Sequence, residues 1–92
     1  MRVVVRYLAQ VQQAAGTASE ELEAIPGCTG ADLLRQLSAR HGDDLRALIL
    51  DAAGNVQPTV LLFLDDEHVR AEQTLPLKEG AVLTVLTPMA GG

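Results

Sequence analysis

Pro88-Met89-Ala90-Gly91-Gly92 is the stretch of this 92-residue sequence whose residue types most plainly permit chemistry. Glycine has no Cβ, so it crosses backbone regions closed to other residues and occupies little room. Two in a row make a thin thread that can enter a narrow slot in another protein. Taken as the end of the protein, Gly92 carries an α-carboxylate that no side chain shields and that is ionised at neutral pH. As an anion it is a poor electrophile. It can attack an activated phosphate, however, and becomes reactive once adenylated. The competing reading is a frayed end, since glycine-rich termini are common.

Little else in the sequence offers a reaction centre. It has no Ser/His/Asp or Cys/His set, no phosphate-binding glycine loop and no metal-ligand cluster, so no catalytic residue and no metal site is expected. His41 at a helix end and His68 in a turn have no spacing that pairs them, and surface positions are expected for both. Cys28 stands alone before a helix, without a disulfide partner. Seven basic residues against twelve acidic ones give a net charge of -5. Nucleic-acid binding, which needs a clustered basic stripe, is not expected, and a neutral or basic partner is favoured. Glu20-Glu21 and Asp65-Asp66-Glu67 are expected to be solvated edges. No apolar run reaches the ~18 residues of a membrane span, and the N-terminus is too charged for a signal peptide, so a cytoplasmic chain without membrane contact is expected.

The elements that must position the tail follow from pattern. Arg2 to Leu8 is β-branched and alternating, with Val3, Val5 and Tyr7 on one face and Arg2, Val4, Arg6 and Leu8 on the other. Gly16-Thr17 punctuates a soft connection, and Ser19 to Ile25 suits an edge strand. Thr29-Gly30-Ala31-Asp32 is a helix start, followed by Leu33, Leu34 and Leu37 at helical spacing up to Gly42. Residues 43–50 fit either a helical turn or a short strand. Thr59 to Leu64 is an interior strand, a turn at Asp65-Asp66 leads to a short strand, and Ala81 to Thr87 is a last strand feeding the tail. The expected class is α+β: a mixed sheet of four to five strands with one main helix on one face. The body spans 1–87 and the tail 88–92, with the first and last strands as neighbours and the second sheet face bare.

That bare face supplies a second candidate site. Ordering a five-residue tail costs roughly 1–2 kcal/mol per residue in backbone entropy. Burying one large apolar side chain returns about 1.5–3 kcal/mol. An apolar patch beside the tail is therefore required, and alternation places Leu8, Phe63 and Leu86, with Val4, on the outward face.

In order and spacing, these segments resemble the β-grasp sulfur-carrier family, the ubiquitin-like proteins that include the small subunit of molybdopterin synthase and the thiamine-pathway carrier. Tyr7-Leu8-Ala9-Gln10-Val11 with Gly16 is similar to the family's first strand and following loop. Thr29 with Leu33, Leu34 and Leu37 is similar to its helix, and Leu62 to Arg70 to its strand, turn and strand. Leu77-Lys78-Glu79-Gly80 with Val82 to Leu86 resembles its last turn and strand, and Pro88 to Gly92 its terminal signature. Where the molybdopterin subfamily usually has Phe-Pro-Pro, this chain has Leu86-Thr87-Pro88, closer to carriers that feed cysteine biosynthesis.

The resemblance implies a carrier, not an enzyme. A ubiquitin-activating-type adenylyltransferase and sulfurtransferase would thread Pro88, Met89, Ala90 and Gly91 into its site and adenylate Gly92 with its own ATP-Mg. A sulfur donor would then leave a thiocarboxylate for an acceptor enzyme, either a synthase large subunit or a cysteine synthase-like partner. The chain would bind no cofactor itself. Two alternatives stay open: a ubiquitin-like modifier conjugated through Gly92, and a non-covalent β-grasp interaction module.

Overall fold

The computed structural model describes residues 1–88. Met89, Ala90, Gly91 and Gly92, which carry most of the expected tail, lie outside the described residues. Five strands, β1 (Arg2–Tyr7), β2 (Ser19–Glu23), β3 (Leu61–Leu64), β4 (Glu67–Val69) and β5 (Ala81–Leu86), form one mixed sheet in the order β2-β1-β5-β3-β4. β1 and β5 run parallel, with Val3 opposite Ala81 and Tyr7 opposite Val85, while the other neighbours are antiparallel. The strand that leads to the tail is therefore an interior one, hydrogen-bonded on both sides.

Three helices, α1 (Ala9–Ala15), α2 (Gly30–His41) and α3 (Asp43–Ile49), share one core with the sheet. The inward row of each strand supplies Val3, Val5, Tyr7, Leu22, Leu62, Leu64, Val69, Leu83 and Val85. The helices answer with Val11, Leu33, Leu34, Leu37, Leu45 and Ile49. With no Trp and one Phe in the chain, this core is aliphatic, packed around the buried Tyr7.

Local chemistry sets the helix boundaries. The Thr29 hydroxyl accepts from the Asp32 N–H at 3.1 Å and the Asp32 carboxylate accepts from the Thr29 N–H at 3.0 Å, a capping box opening α2. Gly30 is there because α2 approaches the sheet closely: a Cβ at that position would lie 2.8 Å from Leu62 Cδ1. Gly42, at φ 92°, breaks the helical run and lets α3 begin with Asp43 and Asp44 in its first turn. α3 resolves residues 43–50 in favour of a helix, with Leu45 and Ile49 one turn apart and both buried. α1 stands where the sequence suggests only a soft connection. It buries a single apolar residue, Val11, so no period shows, and it is held between β1, β5 and α3 by packing.

Two sequence expectations fail at the edge of the core. Glu20 is not a solvated edge and His41 is not a surface histidine: their side chains are 15% and 17% exposed. The Tyr7 hydroxyl donates to Glu20 Oε2 at 2.5 Å, Arg40 donates to Glu20 Oε1 at 2.6 Å, and His41 Nε2 bonds the same carboxylate. The cluster pins edge strand β2 to the last turn of α2. Burial, reinforced by Glu20, pushes the Tyr7 phenol far above its ordinary range, so it stays a donor. Burial alone would raise Glu20, but the bonds from Tyr7, Arg40 and His41 outweigh it and hold the carboxyl below its ordinary range.

A signed prediction follows for Glu20→Gln. Because the folded pKa lies below the unfolded value of about 4.3, the carboxylate stabilises the fold above that pH. The contribution fades as pH falls through the folded value. At pH 7 urea unfolding should find the variant less stable by about 1.5–3 kcal/mol, and the two stability curves should converge as pH falls through the folded value. A gap that stays constant on acidification would remove the charge from the account.

Candidate functional site

β5 carries the chain to its end between two strands, and the bonding continues past the strand itself. The Leu8 N–H donates to Val85 O at 3.1 Å, extending the parallel β1–β5 ladder by one residue. Leu8 is thus set beside Leu86, and Leu86 lies directly opposite Leu61 on β3. One rung further from the tail, Arg6, Thr84, Phe63 and His68 line up across β1, β5, β3 and β4. One rung beyond that lie Val4 and Val82.

All these side chains are on the sheet face opposite the helices, because their strand neighbours Val5, Tyr7, Leu83, Val85, Leu62 and Leu64 are buried in the core. Leu8 is 37% exposed, and Val4, Leu61, Phe63, Val82 and Leu86 are half-buried. Thr84, though on this face, is buried beneath its neighbours. The Phe63 ring rests on the His68 ring with centroids 5.5 Å apart. Leu8, Phe63 and Leu86 are therefore brought together on adjoining strands, and Val4 extends the apolar row away from the tail. Leu61, Val82 and His68 belong to the same surface. Alternation along β3 and β5 marks the first two, but the partnership of His68 with Phe63 depends on a register that no local pattern reveals.

The turn between β3 and β4 holds that register. Asp65 and Asp66 both have positive φ, 48° and 71°, a conformation for which Asn and Gly are better suited. Asp65 is anchored there by two bonds to β5: its N–H donates to Val82 O at 2.9 Å and its carboxylate accepts from the Val82 N–H at 3.0 Å. Ala9, at φ 54°, makes the sharp exit from β1 that leaves Leu8 at the patch margin.

At the root of the tail, Thr87 is buried and its hydroxyl has no hydrogen-bond partner among the described residues. Pro88 is exposed. Among the described residues no group of three or more His, Cys, Asp or Glu side chains could hold a metal ion, and no helix is long and apolar enough to cross a membrane. Burial first, then Asp32, pushes the Cys28 thiol up, which disfavours the thiolate a nucleophile needs. What the described residues present beside the tail is an apolar patch, with Leu8 exposed and Leu61, Phe63 and Leu86 half-buried.

A model of the ThiS family matches residues 5–92 of the chain. The chain belongs to the ThiS family. It is 29% identical to the molybdopterin synthase sulfur carrier subunit of Chlamydomonas reinhardtii over 92 residues, all of both chains. The crystal structure of SAMP1 from Haloferax volcanii matches at TM-score 0.85 and 17% identity, covering 100% of each chain. That likeness bears on the fold alone, which is the ubiquitin-like β-grasp expected from the sequence. A putative molybdopterin converting factor, subunit 1, from Pyrococcus furiosus matches at TM-score 0.73 and 25% identity over 97% of this chain and 99% of that one. The ThiS-family match includes Pro88 to Gly92, so the terminal stretch belongs to the family's span.

The two faces of β3 give a direct test of where the site lies. Phe63→Asp places a charge on the open face and should leave a cooperatively folded protein. Leu62→Asp, one residue away and 1% exposed, should not fold at 25 °C, since even truncating such a residue costs about 2–5 kcal/mol. Circular dichroism with urea unfolding decides it; loss of fold in the first variant would place Phe63 in the core.

Proposed function

We propose that this chain is a sulfur carrier, adenylated and then thiocarboxylated at Gly92, and that it acts as a protein cosubstrate without catalytic side chains of its own. The observation that carries the reading is the placement of the apolar patch. Leu8, Leu61, Phe63 and Leu86 lie at the end of the sheet from which β5 leads to the Gly-Gly tail. Membership of the ThiS family and the name of the Chlamydomonas relative support it.

The chemistry is short. A Gly92 carboxylate oxygen attacks the α-phosphorus of ATP, the bond to the bridging oxygen breaks and pyrophosphate leaves. A hydrosulfide-class donor then attacks the acyl carbon of the adenylate. The new C–S bond replaces the C–O bond to AMP, and the terminal group becomes a thiocarboxylate. Held so, sulfur is nucleophilic and cannot diffuse away as sulfide. ATP-Mg belongs to the activating partner, a ubiquitin-activating-type adenylyltransferase. The patch holds the carrier while the tail is threaded, and burial of its apolar side chains offsets the entropy lost on ordering the tail.

A second enzyme accepts the tail and takes the sulfur. The relative's name favours a synthase subunit as that acceptor, with a cysteine synthase-like enzyme as the other class. Conjugation to lysines would draw on the same activated carboxylate, and is separated by the fate of the acyl group.

The test uses the host's purified adenylyltransferase with ATP-Mg. Wild-type chain should support pyrophosphate exchange. A chain lengthened by one tryptophan after Gly92 should reduce it to the enzyme's background, because the carboxylate is displaced from the reacting position. Exchange at the wild-type rate by the lengthened chain would remove Gly92 as the reacting group.

A further inference from the structure

The overall charge of -5 suggests a basic partner, but the charges are not evenly spread. On the open face they divide along the strands. The end remote from the tail carries Glu21 and Glu23 of β2, with Glu79 bound to the Arg2 N–H and Asp65 and Asp66 in the β3–β4 turn. Its cations are Arg2, paired with Glu21 at 3.5 Å, the Met1 ammonium, paired with Glu23 at 3.0 Å, and Lys78 in the turn before β5, so acids still outnumber them.

The end that leads to the tail is different. Arg6 stands on β1 in the rung of Thr84, Phe63 and His68. Arg70 directly follows β4, and continuing the β3–β4 register sets it opposite Leu61. Both arginines are exposed, and neither forms an ion pair among the described residues. The two rungs that hold Leu8, Leu86, Leu61 and Phe63 contain no acidic residue; the nearest acids along the chain are Glu67, next to His68, and Asp65 and Glu72, two residues from Phe63 and Arg70. Three strand spacings of about 4.8 Å separate β1 from β4, so the strands that carry the two arginines lie about 15 Å apart on either side of the patch.

Screening decides which charge a partner meets. At physiological salt the Debye length is about 8 Å, so the acids at the far end and on the helical side contribute little at the patch. The local pair dominates the approach. Arginine's planar fork also suits bidentate carboxylate pairing at an interface rim.

We infer that the partner surface received by this face is acidic: an apolar pocket for Leu8, Leu61, Phe63 and Leu86, flanked by carboxylates opposite Arg6 and Arg70. These two arginines, and not the overall charge of the chain, orient the docking. The acidic far end is repelled by the same surface, which turns the tail end toward the partner. The inference rests on the sulfur-carrier reading, because it takes the adenylyltransferase as the occupant.

The experiment measures association of the carrier with the host's purified adenylyltransferase by stopped flow, at low and at high salt. Arg6→Glu, Arg70→Glu and Arg46→Glu each make the same change in net charge, but exposed Arg46 lies on α3, on the helical side. Thermal midpoints confirm that each variant is folded, and Arg6→Gln and Arg70→Gln stand in for any charge reversal that is not. Each open-face reversal should slow association by about tenfold or more at low salt, within the range of electrostatic steering, and the difference should shrink as salt rises. At physiological salt Arg46→Glu should stay within about threefold of wild type, since a Debye length of about 8 Å screens its charge from the patch. Open-face variants that behave like Arg46→Glu, or associate faster than wild type, would overturn the inference while leaving the carrier reading in place. A wild-type chain that neither binds nor is adenylated would overturn the carrier reading, and the inference with it.

Discussion

The parallel pairing of β1 with β5 is the constraint on which the rest depends. It makes the first and last strands neighbours at the middle of the sheet, so the last strand is held on both sides. Parallel strands cannot be joined by a tight turn; here everything from α1 to β4 lies between them, with all three helices on one face. The opposite face is left to solvent, and it is the face that meets the tail root. A sheet edge would have offered a strand end free to fray. An interior strand offers a fixed base from which a thin segment can be presented.

The same pairing explains why the exposed apolar surface persists. Apolar side chains on an open sheet face gain nothing from folding beyond their partial cover by strand neighbours. Their clustering at one end, with Arg6 and Arg70 beside them and the acids at the other, supports the docking role proposed for this face. The Glu20 cluster plays a separate part. It secures the edge strand β2 to α2 through Tyr7, Arg40 and His41, so that β1 keeps its antiparallel neighbour.

Much of this was legible before any coordinates. Period-two alternation in β1, β3 and β5 sorted Val3, Val5 and Tyr7 from Val4, Arg6 and Leu8, and Leu62 and Leu64 from Leu61 and Phe63, because each strand has one wet face. The capping residues Thr29 and Asp32 located α2. What stayed hidden has a common cause: it depends on neighbours distant in sequence. α1 shows no period because one residue, Val11, carries its packing. Glu20 looks like a solvated acid until β2 is laid beside β1 and under His41. The arginine pair looks scattered along the chain, at positions 6 and 70, until the register brings both to the patch.

The central claim is that the terminal carboxyl is the group that carries sulfur, and the mass of the C-terminal peptide tests it most directly. The peptide should be taken from protein purified under mild conditions from sulfur-replete cells of its own host. The expected result is a fraction heavier by the replacement of one oxygen with sulfur, confined to the fragment that ends in Gly91-Gly92. A C-terminal peptide that remains the plain carboxylate in every sulfur condition, or that is recovered only as an isopeptide on other proteins, would contradict it.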